Sequence, residues 1–184
     1  MSNKDKNRVC PAEMAGGLDN SLRRFFQNPA KILNPYISGE MKVLDFGCGP
    51  GFFTLEIARM VSGSGNVVAA DLQSGMLDIV KKKISGTELE KKIRLHKCEQ
   101  NSTGLSEEVD FILAFYVVHE VPDKDRLFRE FRQILKPGGK LLIIEPNFHV
   151  SKKDFNTMLE KLVIANFRIT DRPGKFMNRC VLAG

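Results

Sequence analysis

Asp45 and Asp71 each close an apolar run, in VLDFGCGPGFF (43–53) and NVVAADL (66–72), and the first run leads directly into Gly47-x-Gly49-x-Gly51. A glycine turn at the start of a helix presents N–H groups and a partial positive charge, and glycine lets a ligand approach the backbone closely. The turn therefore binds a ligand, and its spacing indicates which kind. A dinucleotide turn follows G-x-G-x-x-G/A, but counting from Gly47 the last place is Phe52. Asp45, just before the turn, would repel a pyrophosphate and attract an ammonium, so the expected ligand is zwitterionic rather than polyanionic. Asp71 stands where an acid accepts hydrogen bonds from both hydroxyls of a ribose. One acid at each of these two strand ends fits an adenosyl amino acid. Read as ordinary strand-end acids, the two would leave their coincidence with the glycine turn unexplained.

A second group of residues has the chemistry to move a proton. His119 lies in FYVVHEVPD (115–123) and His149 in EPNFHVS (145–151), after two further apolar runs. An unperturbed imidazole has a pKa of about 6.5 and accepts a proton at neutral pH. Open α/β sheets place their ligands at the carboxyl ends of the strands, which is where both histidines fall. His149 is expected to face the acceptor. Tyr116 and Glu120 are further candidates in the same turn as His119, while Glu145 reads as satisfying a loop.

The elements that must position these residues alternate along the chain. Strand-like runs are MKVLDFG (41–47), NVVAADL (66–72), IRLHKCE (93–99), VDFILAFYV (109–117) and KLLIIEP (140–146). Several are apolar at consecutive positions, as strands buried on both faces must be. Between them, Phe52–Val61, Met76–Ile84 and Asp125–Leu135 carry the spacing of one helix face, and KPGGK (136–140) stops the last of these and turns into the next strand. After a helix from Lys152 to Asn166, FRITDR and KFMNRCVLA flank Pro173-Gly174 and read as an antiparallel hairpin. Strands alternating with amphipathic helices predict a parallel sheet covered on both faces.

The chain has 184 residues, 42% of them hydrophobic and 27% charged, which fits one globular domain. Residues 41–184 make its catalytic core. Residues 1–40 precede that core as a helical lid or cover: Leu22, Phe25 and Phe26 share one helix face, Asn28-Pro29 starts a second helix, and Asn34-Pro35 ends it. Cys10-Pro11 and Met14–Gly17 read either as a flexible apolar loop whose thiol touches the acceptor or as an N-terminal segment with an inert cysteine. The polar N-terminus MSNKDKNRVC and the lack of a long apolar run predict a cytoplasmic protein without a membrane partner. Cys10, Cys48, Cys98 and Cys180 lie far apart with no CxxC pair, so neither a metal site nor a disulfide framework is expected. The net charge of +6 raises the question of a nucleic-acid partner. Lys81–Lys83, Lys91-Lys92 and Lys152-Lys153 sit in helical or mixed-charge segments, however, and read as solvated faces.

From Met41 to Pro146, the motifs VLDFGCGPGFFTLEIA, VVAADLQSGMLDIVKKK, VDFILAFYVVHEVPD and FRQILKPGGKLLIIEP follow one another in order and spacing. Together they closely resemble the class I S-adenosylmethionine-dependent methyltransferases, in their small-molecule branch with the ubiquinone/menaquinone-methyltransferase pattern. The resemblance implies a Rossmann-like, doubly wound sheet of seven strands, mostly parallel, with the last strand antiparallel and helices on both faces. It implies that Asp45, Gly47, Cys48 and Gly49 hold the methionine end of S-adenosylmethionine, with Gly51 permitting the turn. Asp71 would bind the ribose diol and Leu72 would pack on adenine. The acid that meets the adenine amino group in the family corresponds to Asn101, four residues before Leu105, with Gln100 and Ser102 as neighbours able to share that contact. Phe115 and Tyr116 would floor the pocket beside the sulfonium. The catalytic candidates are His149, His119 and Tyr116, although a histidine at the place of His119 serves equally as packing or as a turn cap.

FYVVHEVP replaces the Asn/Asp-Pro-Pro-aromatic turn of methyltransferases that act on base amines, and no RNA-binding module is visible, so a small-molecule acceptor is expected. An RNA or protein methyltransferase and a non-catalytic cofactor-binding regulator are the competing readings. A nicotinamide enzyme is a distant third. A homodimer is compatible with all of them.

Overall fold

The computed structural model describes residues 27–100, 102–174 and 178–184. Among the described residues, seven strands form one sheet in the order β3-β2-β1-β4-β5-β7-β6. They are β1 (Lys42–Phe46), β2 (Asn66–Asp71), β3 (Ile93–Lys97), β4 (Val109–Phe115), β5 (Leu135–Pro146), β6 (Ile169–Asp171) and β7 (Asn178–Ala183). β7 pairs antiparallel with both β5 and β6, and the other pairings are parallel. The helices are α1 (Pro29–Leu33), α2 (Thr54–Met60), α3 (Ser74–Ile84), α4 (Lys124–Ile134) and α5 (Lys152–Ile164).

The continuous apolar runs are explained by two separate cores, one on each side of the sheet. Leu44, Phe46, Val68, Ile112 and Ile143 point to the side covered by Leu127, Phe128 and Phe131 of α4 and by Phe155, Met158 and Leu162 of α5. Their chain neighbours Val43, Val67, Phe111, Leu113 and Leu142 point to the side covered by α1, α2 and α3 through Leu33, Ile57 and Val80. Each such burial contributes about 1.5–3 kcal/mol, so both faces of each central strand stabilise the fold. Crossovers between parallel strands are right-handed, which puts α2 and α3 on one side and α4 and α5 on the other. The winding reverses between β1 and β4, and this opens a crevice beyond their carboxyl ends.

Of the boundaries that differ from the sequence expectation, three are described by their local bonding. α2 starts at Thr54 because Gly51–Phe53 remain in the turn. β5 begins at Leu135, immediately after α4, and pairs there with Val109. Its KPGG segment then buckles out as a bulge before Lys140 resumes opposite Phe111, with Gly138 at φ +80° and the Lys136 ammonium donating to Asp110 Oδ1 at 2.8 Å. β6 is short because Arg168 exchanges backbone hydrogen bonds with Gly184 before the ladder proper begins at Ile169.

In the N-terminal segment, the Asn28 side chain accepts from the Lys31 N–H, Pro29 opens the helix and Asn34 closes it. Leu33 and Ile37 are buried, and the Tyr36 ring stacks on Phe111 with 6.0 Å between centroids, so this part covers the sheet. Cys10, Met14–Gly17, Leu22, Phe25 and Phe26 lie outside the described residues. Among the described residues no helix is long and apolar enough to cross a membrane.

Candidate active site

The glycine turn departs from β1 at the reversal point. The N–H groups of Gly47 and Cys48 both donate to Ala70 O, at 2.8 and 3.0 Å, and Gly51 N–H donates to Cys48 O at 3.1 Å. Gly49 N–H donates to Asp71 Oδ2 at 2.9 Å. Position 50 is proline and has no N–H. Every one of these donors is therefore bonded within the protein, in contrast to the free N–H cradle that the sequence alone suggested. A phosphate site requires N–H groups aimed at the ligand, whereas Gly47, Cys48 and Gly49 use theirs to tie the turn to β2 and Gly51 uses its own within the turn.

Two carboxylates border it. Asp45 is 2% exposed, and its Oδ2 accepts from the Thr54 hydroxyl at 2.5 Å. Thr54, wholly buried at the first position of α2, is a site residue that sequence reasoning missed. Asp71 closes β2, and besides Gly49 it accepts from Gln73 N–H at 2.8 Å through Oδ1. Burial pushes its pKa above the ordinary aspartate value despite the N–H groups of Gln73, Gly49 and Leu72. A carboxylate has about four lone-pair sites, so Asp71 keeps acceptor capacity for further donors.

Cys48 is buried in the turn, with its thiol donating to Gly49 O at 3.5 Å. Burial and the nearby Asp45 and Asp71 push that thiol well above the usual range, the opposite of what an activated thiolate needs. Leu72 is half-buried against the α4/α5-side core. Gln100 is exposed, in a turn whose ends Glu99 and Ser102 bridge each other, and Asn101 lies outside the described residues.

The loop after this turn is clamped from a distance. Glu130 Oε2 accepts from Thr103 N–H at 2.6 Å, from the Thr103 hydroxyl at 3.0 Å and from the Ser102 hydroxyl at 3.2 Å, while Arg126 Nε donates to Oε1 at 3.0 Å. The opposite side of the loop is held by His96 Nε2–H donating to Thr103 O at 2.6 Å. Burial acts to raise the pKa of Glu130, but these donors outweigh it and hold the group below the usual glutamate value. The sign of the linkage follows: Glu130 stabilises the fold above the unfolded glutamate pKa, and that contribution is lost as pH falls through its lower folded value. Glu130→Ala is expected to cost about 1.5–3 kcal/mol, the scale of hydrogen bonds to a charged group. Urea unfolding at pH 7 and pH 3.5 checks this, since the gap between variant and wild type should narrow at the lower pH.

At the end of β4, Phe115 lies between the rings of Phe53 (4.3 Å) and Tyr116 (4.1 Å). Tyr116 has φ +58°, a conformation that costs a non-glycine residue about 1–3 kcal/mol and clusters at functional sites. Its hydroxyl donates to Asn178 Oδ1 and accepts from Gln27 Nε2 at 2.8 Å, so the phenol anchors β4 to β7 and to the segment before α1. His119 sits in a 3-10 turn (Val118–Glu120) directly after β4. Glu145, fully buried near the end of β5, accepts from His119 N–H at 3.1 Å through Oε1 and from His119 Nδ1–H at 2.5 Å through Oε2. His149 is exposed after β5, with its ring stacked on that of His119 at 5.7 Å and 17°. The structure thus places Tyr116 and His119 after β4 and His149 after β5, with the two imidazoles stacked, at the end of the sheet where β1 and β2 close in the segments of Asp45 and Asp71.

The sheet order and the position of the glycine turn are those of the class I S-adenosylmethionine-dependent methyltransferases. A family described as "Methyltransferase domain" matches residues 43–139, and the chain belongs to it. It is 33% identical over 130 residues to a demethylmenaquinone methyltransferase of Lactobacillus johnsonii, a match covering 70% of this chain and 51% of the relative. It is 28% identical over 166 residues to a ubiquinone/menaquinone biosynthesis C-methyltransferase of Cellvibrio japonicus, covering 89% of this chain and 63% of the relative. The chain therefore spans 51–63% of the length of these two relatives. A solved SAM-dependent methyltransferase from Aquifex aeolicus superposes with a TM-score of 0.85 at 26% identity, over 95% of this chain and 98% of the other.

Proposed function

We propose that this chain transfers the methyl group of S-adenosylmethionine to a small-molecule acceptor. The observation that carries the reading is the glycine turn, whose Gly47, Cys48, Gly49 and Gly51 N–H groups are bonded within the protein, set between two buried carboxylates at the point where the sheet reverses. Space for a ligand exists there: a Cβ built on Gly49 would meet nothing within 4 Å. Asp45, Gly47, Cys48 and Gly49 would hold the amino-acid end, Asp71 the ribose, and Leu72, Gln100 and Asn101 the adenine, with Gly51 shaping the turn and Phe115 flooring the pocket. When bound, the cofactor supplies a methyl group already activated by its sulfonium. The protein's share is to orient the acceptor, exclude water and hold or accept a proton, and alignment alone can supply about 7–11 kcal/mol.

The two relatives are named for demethylmenaquinone and for ubiquinone/menaquinone biosynthesis, and we extend that acceptor class, a quinone-type ring, to this chain. We take it to act as one methyltransferase unit in the cytoplasm, with residues 1–40 as its cover and without nucleic acid, and a homodimer is compatible with this reading. Some of the positive charge is paired, as in Lys42 with Glu107, Lys136 with Asp110 and Lys161 with Asp125, which favours a solvated over a phosphate-binding role for these cations. Calorimetry should detect S-adenosylhomocysteine binding and no NAD binding, and labelled methyl should reach menadiol kept reduced under anaerobic conditions. NAD binding in place of S-adenosylhomocysteine would overturn the cofactor assignment. Cofactor binding with no transfer to menadiol would overturn the acceptor class.

A further inference from the structure

We propose that Glu145 is a positioning residue that fixes His119 with Nδ1 protonated and Nε2 available as the atom that takes a proton from the acceptor. This rests on the methyl-transfer reading above and adds to it a requirement on the acceptor, which must arrive carrying an ionisable O–H, N–H or C–H.

The geometry is specific. Both oxygens of one fully buried carboxylate are committed to a single residue, Oε1 to its main chain and Oε2 to its ring. The main-chain bond sets where the 3-10 turn leaves β4, and the ring bond sets the tautomer. A carboxylate can only accept, so the shared proton resides on Nδ1, and in the neutral ring the lone pair is then on Nε2. The His119 side chain is 25% exposed while Glu145 is not exposed at all, so the open part of the ring lies away from the carboxylate. His149 stacks on one face of the ring and restricts its rotation. This is the base-and-orienter arrangement in which a buried acid stabilises the imidazolium formed when the base is protonated.

The proton balance is complete with the groups named. In a reduced quinone ring the O–H bond breaks and its proton moves to Nε2, the O–H electron pair becomes a C=O bond while the ring π pair forms the new bond to the methyl carbon, and the S–CH3 electron pair stays on sulfur, giving S-adenosylhomocysteine. The ring C–H proton then leaves to water as the oxygen regains one, which restores the aromatic ring. The imidazolium then returns its proton to water.

The charged and titratable groups facing His119 are Glu145 from β5, Glu120 in its own turn, Lys124 at the start of α4 and His149 after β5. Burial acts to lower the pKa of the ring, but Glu145, with help from Glu120 and against Lys124, outweighs it and leaves the group above the ordinary histidine value. The folded protein is therefore stabilised by protonated His119 below the unfolded pKa, and this contribution is lost as pH rises through the folded value.

The test is a 15N-imidazole NMR titration of the full chain and of E145Q, with and without S-adenosylhomocysteine, assigned through H119N. In the wild type, neutral His119 should be protonated at Nδ1, with a pKa above 6.5. In E145Q the pKa should fall below the wild-type value and the tautomers should mix. With menadiol, the acid limb of kcat/KM should follow the His119 pKa measured by NMR and move to lower pH in E145Q. A neutral ring protonated at Nε2, or a titration unchanged by E145Q, overturns the proposal. So does a menadiol rate whose acid limb ignores the His119 pKa. Calorimetry with S-adenosylhomocysteine separates the two readings, because binding retained in E145Q leaves the cofactor assignment standing whatever the imidazole does.

Discussion

Gly47→Ala is expected to be the most damaging single-methyl change in the turn, costing about 2–5 kcal/mol of stability. Two effects add. The residue sits at φ +71°, where an L side chain costs about 1–2 kcal/mol. A Cβ there would also lie 2.4 Å from Val117 Cγ2 and 2.6 Å from Val117 Cβ, an overlap of the kind that costs about 1–3 kcal/mol. Val117 follows directly on Tyr116, so relieving the overlap pushes on the rim that carries His119. Gly49→Ala provides the contrast. It shares the positive φ, at +53°, but its Cβ would enter open space, so it should cost only about 1–2 kcal/mol of stability while obstructing the ligand. Urea unfolding and S-adenosylhomocysteine calorimetry on the two variants should therefore rank them in opposite orders, with Gly47→Ala the less stable and Gly49→Ala the one whose binding loss exceeds its stability loss. Val117→Ala in the Gly47→Ala background should recover part of the stability. Equal stability of Gly47→Ala and wild type would contradict this geometry of the turn.

Asp71→Asn should weaken S-adenosylhomocysteine binding by about 1.5–3 kcal/mol, roughly 10- to 150-fold, the scale of hydrogen bonds to a charged acceptor. The amide keeps the shape but replaces one accepting oxygen with a donor, which faces either Gly49 N–H or Gln73 N–H and loses that bond as well. The effect on pH carries two opposite signs. Cofactor affinity depends on the ionised acid, so it should fall as pH drops through the folded pKa, which burial holds above the ordinary aspartate value. The stability contribution of the same group runs the other way. It is fully present below the unfolded pKa, where the buried acid is neutral, and is lost as pH rises through the folded value. Calorimetry from pH 4 to 7 distinguishes the two, because Asp71→Asn should abolish the acid-side loss of affinity that wild type shows. Unchanged affinity in a folded variant would remove Asp71 from the ribose site.

The sheet was legible because its information is local. Runs such as NVVAAD and VDFILAF are apolar at consecutive positions, 67–70 and 111–115, and this follows from the two cores that Val67 and Val68, or Phe111 and Ile112, face on opposite sides. The glycine spacing and the acids at two strand ends are local too, so the type of ligand could be read from one window. The side-chain clamps could not. Thr54 to Asp45, Glu130 to Thr103 and Glu145 to His119 join residues on different elements, and neither partner has a period or a spacing that points to the other. Glu145 looked like a loop acid because nothing in KLLIIEP says that the last strand residues turn a carboxylate toward the end of the neighbouring strand. The bulge in β5 was hidden for a related reason: KPGG has the composition of a free turn, and only the pairing of Leu135 with Val109 makes it an interruption within a strand.

Cys48 gives the turn a built-in clock. Its thiol is 6% exposed and poorly ionised, and among the described residues Cys98, pushed up to about 11, and Cys180 are buried as well. Because the N–H groups of Gly47, Cys48 and Gly49 tie this turn to β2, alkylation of Cys48 is expected to be slow and to quicken when those bonds are weakened, so its rate offers a chemical readout of how firmly the ligand cradle is held.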